Sequence, residues 1–178
     1  MMPVGHDPEF DIDGNIALQY SPEMAGYVQH IMRLPALAGE RVFCFTRFPD
    51  DWDFVNIYES FDDNIDAVLA ACAVPPVNVH AGCYNTIIVD VNIHNSEKYK
   101  RLICGSRHRH IRVITICQGG SLPESRYVIF NPSSAKLVIP QILSVKKTFL
   151  QFTVKEALQN AHSYIIVDTH NKEIEIHS

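Results

Sequence analysis

Nowhere in this chain do about 18 apolar residues run together, so the sequence offers no helix able to cross a bilayer. It also lacks a surplus of positive charge. The formal net charge is −5 and the pI about 5.9, which excludes a protein that coats nucleic acid through its overall field and leaves only a local basic patch. Paired cysteines are missing too. Cys44, Cys72, Cys83, Cys104 and Cys117 are odd in number and mostly embedded in apolar runs, the pattern of reduced, buried thiols in an intracellular compartment. No Gly-x-Ser-x-Gly elbow or catalytic cysteine signature supports nucleophilic chemistry. None of the eight glycines belongs to a Gly-x-x-x-x-Gly-Lys-Ser/Thr phosphate loop.

What is present suits one well-filled domain: 178 residues, 47% hydrophobic and 20% charged. Met1 to Asp13 carries acids and proline without an apolar core, so it reads as an N-terminal extension rather than a signal peptide or anchor. Residues 14–178 are expected to form a single domain. Short apolar runs alternate with helical patterns there, the signature of α/β units around a mostly parallel sheet. Strands are expected at Asn15–Tyr20, Arg41–Phe48, Asn85–Asp90, Ile111–Cys117 and Tyr127–Phe130. Asn85–Asp90 and Ile111–Cys117 are apolar almost throughout, as strands buried on both faces must be. Helices are expected at Pro22–Leu34, Asn64–Ala73 and Ser96–Ile103, the first capped by Ser21 with Pro22 at its first position and Glu23 in its first turn. Ala135–Leu143, interrupted by Pro140, and Val154–Asn160 read as helical or loop-like. Ser163–Asp168 and Glu173–His177 read as a hairpin over a four-residue turn.

The order of these pieces carries a resemblance. A strand ending in Asp90, a helix, the segment Gly105-Ser106-Arg107-His108, a strand leading to Gln118, and then Leu122-Pro123-Glu124-Ser125-Arg126 resembles the genome-packaging ATPases of large eukaryotic DNA viruses, in the FtsK–HerA branch of P-loop ATPases. The resemblance covers the chain from about Asn15 onwards. It implies a three-layer, P-loop-NTPase-like α/β domain. It also implies an Mg²⁺-holding acid at Asp90, a γ-phosphate sensor at Gln118, and arginines at Arg107 and Arg126. The strands carrying Asp90 and Gln118 should flank the first strand and emerge on one edge.

Two departures from that pattern bear on activity. Where the phosphate loop belongs stand Ser21-Pro22-Glu23: Pro22 has no N–H to offer a phosphate, and Glu23 places negative charge where the anion would sit. Asp90 is flanked by Val89 and Val91, so a second, water-activating acid is missing beside it. A degenerate, non-hydrolysing site is therefore expected, with no cofactor bound. One alternative is an active ATPase using Mg·ATP in a site completed by an unusual loop or a partner subunit; another is a nucleic-acid-binding protein that uses the basic 98–112 region.

Other clusters have weaker support. Lys98, Lys100, Arg101, Arg107, Arg109 and Arg112 form the densest basic stretch, which offers DNA contacts or simply a solvated surface. Cys104, His108 and His110, with His94 upstream, include zinc-ligand types, but without a Cys-x-x-Cys pair no metal site is assigned. Phe43, Phe45, Phe48, Trp52, Phe54 and Tyr58 read as core and sheet edge rather than a base-stacking platform. The partners left open are a second copy of the chain, another viral protein and DNA, with no membrane, in host cytoplasm or virion.

Overall fold

The computed structural model describes residues 14–19, 40–47, 56–74, 85–90, 96–106, 109–117, 122–123, 125–131, 138–142, 164–171 and 173–177. Among these residues eight strands make one sheet: β1 (Ile16–Gln19), β2 (Arg41–Thr46), β3 (Asn56–Tyr58), β4 (Asn85–Asp90), β5 (Ile111–Cys117), β6 (Tyr127–Phe130), β7 (Tyr164–Asp168) and β8 (Glu173–His177). Their order is β3-β2-β4-β5-β1-β6-β7-β8. The first six are parallel to one another, while β7 and β8 form an antiparallel hairpin on the β6 side.

The expected strands at Asn85–Asp90, Ile111–Cys117, Tyr127–Phe130 and Glu173–His177 form with those bounds, and those at Asn15–Tyr20, Arg41–Phe48 and Ser163–Asp168 form over Ile16–Gln19, Arg41–Thr46 and Tyr164–Asp168, with Tyr20, Phe48 and Ser163 outside the described residues. Asn56–Tyr58 is an additional strand that the sequence pattern does not announce. Pro140 falls inside a 3-10 helix, Ile139–Ile142. The expected helices at Pro22–Leu34 and Val154–Asn160 lie outside the described residues. One expectation about topology is corrected: β5 flanks β1, but β4 does not, because β5 pairs with β4 on one side and β1 on the other.

Two helices cover part of one face. Helix α1 (Phe61–Cys72) starts at Ser60, whose hydroxyl accepts the Asp63 N–H at 3.4 Å, with Asp62 and Asp63 favourably placed in the positive first turn. Its buried positions, Phe61, Ile65, Val68 and Cys72, recur at helical spacing. Helix α2 (Glu97–Gly105) starts the same way at Ser96 and buries Tyr99 and Leu102. Both pack on Phe43, Phe45, Ile87, Val89, Ile111 and Val113. Phe61 stands edge-on to Phe45 (4.9 Å between ring centroids) and to Tyr99 (6.1 Å), so one aromatic chain ties β2 to both helices.

Register places Phe45, Val89, Thr115 and Ala17 side by side, hence on the same face of the sheet. Under β1, β6 and β7 this face is filled by Ala17, Cys117, Val128, Phe130, Ile165 and Val167, with Val138 and Ile142 packed against them. The alternate residues Val42, Cys44, Ile88, Ile114, Ile116, Ile16, Leu18 and Ile129 are buried as well. The sheet is thus covered on both sides, as the three-layer α/β class requires.

Polar side chains clasp the amino edge, where the parallel strands begin. Asn85 donates to the Cys72 carbonyl at 3.4 Å and accepts from Arg41 Nε at 2.8 Å, while Arg41 Nη2 donates to the Val74 carbonyl. Since α1 has no basic residue in its last turn, Arg41 supplies the cation that its carboxyl end favours. On the other face, Arg112 Nη1 donates to both carboxylate oxygens of Glu40 (2.8 and 2.7 Å), and Thr86 donates to the first of them at 2.7 Å. Asn15 joins the start of β1 to the α2–β5 turn: its Oδ1 accepts the Val113 N–H at 3.0 Å and its amide donates to Ser106.

Candidate functional site

The carboxyl ends of parallel strands, where helices and loops diverge, are where open α/β sheets bind ligands. Each of the central strands here closes an apolar run on a polar or sulfur-bearing residue at that edge: Gln19 on β1, Thr46 on β2, Asp90 on β4 and Cys117 on β5. Asp90 is 7% exposed and level in register with Thr46, which is fully buried. The Thr46 hydroxyl donates to Asp90 Oδ2 at 3.3 Å, which fixes the carboxylate against β2. Two residues back on the same face of β2, the Cys44 thiol is pushed up to about 12, first by burial and then by the Asp90 charge.

Gln19 belongs to the opposite face, that of Ala17, level with Cys117. It is 2% exposed, and its carbonyl Oε1 has no hydrogen-bond partner among the described residues. On the same face of the sheet, Tyr99 from α2 shares a 2.6 Å hydrogen bond with Thr115, which is level with Ala17. Burial raises the Tyr99 phenol to about 12 although the Thr115 bond pulls the other way, and burial alone raises Cys117 to about 12. At neutral pH both stay protonated. They offer neither a nucleophile nor a general base.

The residues implicated by sequence do not all converge here. Asp90 stands at the carboxyl edge, whereas Arg126 stands at the amino edge, immediately before β6 and level with Asn15. Asp90 is level with Leu18, so the two Cα atoms are three residues apart along the strands (~10 Å) and three strands apart across them (~14 Å), roughly 17 Å in all. The Arg126 guanidinium lies 5.0 Å from the Tyr127 ring, and its Nε is 3.8 Å from Asp168 Oδ1 on the hairpin. Its stem packs on Gly14, which has φ +144, and where a Cβ would meet Arg126 Cδ at 2.8 Å. Thr169 at the β7–β8 turn donates to the Arg126 carbonyl through both its N–H (2.7 Å) and its hydroxyl (2.8 Å). Ser21, Glu23, Arg107 and Gln118 lie outside the described residues.

The basic stretch is dispersed. Lys98 donates to the Asp62 carbonyl at 2.8 Å and to Asp66 at 3.1 Å, binding α2 to α1, and Lys100 lies 3.8 Å from Glu97. Arg101 and Arg109 are exposed on α2 and on the turn before β5. Arg112 is 4% exposed and is held internally by Glu40, so its charge faces the sheet's own acid rather than solvent. His110, exposed in that turn, has φ 56, in the left-handed region. Among the described residues, no three His, Cys, Asp or Glu side chains gather closely enough to hold a metal ion. No described helix is long and apolar enough to cross a membrane.

Thr46 and Gln19 were not singled out from sequence. The available signal is the one that marked Asp90, a hydrogen-bonding residue closing an apolar strand. Chemically, the described residues of the edge offer a carboxylate, a carboxamide, hydroxyls and thiols. An anion such as a phosphate finds there no described cation comparable to a phosphate-loop lysine.

No protein-family profile matches the chain, and no curated protein matches it in sequence. Solved structures do match in fold. The genome-packaging NTPase B204 of Sulfolobus turreted icosahedral virus 2, in complex with ATP-gammaS, superposes with a TM-score of 0.62 at 12% identity, covering 93% of this chain and 97% of that one. The same NTPase in complex with sulfate gives 0.61 at 13% identity, covering 93% and 96%. B204, the DNA-packaging ATPase of Sulfolobus turreted icosahedral virus, gives 0.64 at 9% identity, covering 95% and 98%. The resemblance read from the order of sequence elements is therefore matched by fold over nearly the whole length of both chains.

Proposed function

We propose that this chain, which has the fold of viral genome-packaging ATPases, is a non-hydrolysing version of it that serves as a binding or assembly module in DNA packaging or in the virion. The observation that carries this lies immediately after β1 in the chain. In place of a glycine loop with its lysine and hydroxyl stand Tyr20-Ser21-Pro22-Glu23. Such a loop works by wrapping phosphates in backbone N–H groups and neutralising them with the lysine. Here Pro22 has no N–H and Glu23 repels an anion. The retained acid adds to the same reading: Asp90 has valine on both sides and is already engaged by Thr46. The residues present do not fit Mg·ATP, and no catalytic step is assigned to it.

Fold and chemistry are separable, because the core that specifies the sheet does not depend on the groups at its edge. Each charge-assisted hydrogen bond missing from the phosphates is worth about 1.5–3 kcal/mol, so two losses weaken binding by about two orders of magnitude or more. Calorimetry with Mg·ATP is accordingly expected to give no heat at micromolar nucleotide, and a phosphate-release assay no turnover. Micromolar binding abolished by Asp90→Ala would overturn the proposal. It would favour an active ATPase whose site is completed by an unusual loop or a partner subunit. DNA contact is assigned, within the same proposal, to the exposed Arg101 and Arg109 rather than to the internally paired Arg112.

A further inference from the structure

We draw no further inference here: the strongest candidate, the buried Gln19 carboxamide at the carboxyl end of β1, belongs to the site already described, and nothing in the structure shows what hydrogen-bond donor meets its carbonyl.

Discussion

Replacing Arg112 with alanine should be among the most damaging single changes in the described part of the chain. The Arg112 side chain is 5% exposed and that of Glu40 10%, so removal of the guanidinium leaves a carboxylate out of water with only the Thr86 hydroxyl still donating to it. Breaking a buried pair in this way costs about 3–5 kcal/mol, and the remaining Thr86 bond places the expectation near the lower end. Whole domains are stable by only about 5–15 kcal/mol, so the variant should unfold at distinctly lower urea. The decisive comparison is Glu40→Leu combined with Arg112→Met, which removes both charges and restores apolar volume. That pair should come within about 1–2 kcal/mol of the parent, because the cost lies in the uncompensated charge rather than in the lost attraction. Urea unfolding followed by circular dichroism of the parent, Glu40→Leu, Arg112→Met and the double variant gives all four corners of the cycle, and 1 M salt should leave the separate Arg112→Ala deficit nearly unchanged, since a buried pair is poorly screened. A deficit below 1 kcal/mol for Arg112→Ala, or a double variant as unstable as the two single losses added, would refute the reasoning.

Gln19→Met keeps the shape but removes the unpartnered carbonyl, so stability should hold or rise by up to about 1–3 kcal/mol; a loss beyond 1 kcal/mol would mean that the carbonyl does have a donor. Gly14→Ala should cost about 1–3 kcal/mol, since it forces a side chain onto φ +144 and into the Arg126 stem, and an unchanged melting temperature would contradict that packing. Among the described cysteines only Cys104 is exposed, so peptide mapping after brief alkylation at pH 8 should find it labelled and Cys44, Cys72 and Cys117 protected until the protein unfolds. The pH dependence has a definite sign: thiols with an ordinary value of 9.0 are held protonated to about 12 at Cys44 and Cys117, so their contribution is complete below pH 9 and lost as pH rises towards 12. A titration showing no loss of stability between those limits would show that these thiols are more hydrated than their burial implies.

Much of the sheet was legible because its central strands are apolar on both faces and sharply bounded. Asn85–Asp90 and Ile111–Cys117 needed no periodicity to be recognised, only length and flanking polar residues. Asn56–Tyr58 offered no such signal: it is three half-buried residues held by β2 and by Tyr58 stacking on Phe45, 5.4 Å between centroids. The start of α1 was also missed. Phe61 is buried by Phe45 and Tyr99, contacts from distant positions that no local pattern announces.

At the candidate site the difficulty was directional. In a parallel sheet each crossover returns the chain to the amino edge, so a residue just before a strand starts at the opposite edge from one that ends a strand. Arg126 and Asp90 are separated for that reason, although the order of sequence elements sets them in one functional series. Sheet adjacency was equally hidden, since sequence order does not reveal that β5 inserts between β4 and β1.

The position of β1 also constrains how the molecule is made. Both of its neighbours, β5 and β6, come later in the chain, and the Asn15 side chain that steers it is bound to a backbone 98 residues away. At a synthesis rate of about 5–20 residues per second, the first strand waits roughly 5–20 s on the ribosome before its nearest partner exists. For that interval Ile16, Ala17 and Leu18, which end as some of the most deeply enclosed residues of the protein, belong to an unmatched ribbon exposed to other chains. The sheet's middle is therefore closed by a strand made before both of its neighbours, and the carboxyl edge of β1 cannot be assembled until Cys117 and Ile129 have emerged.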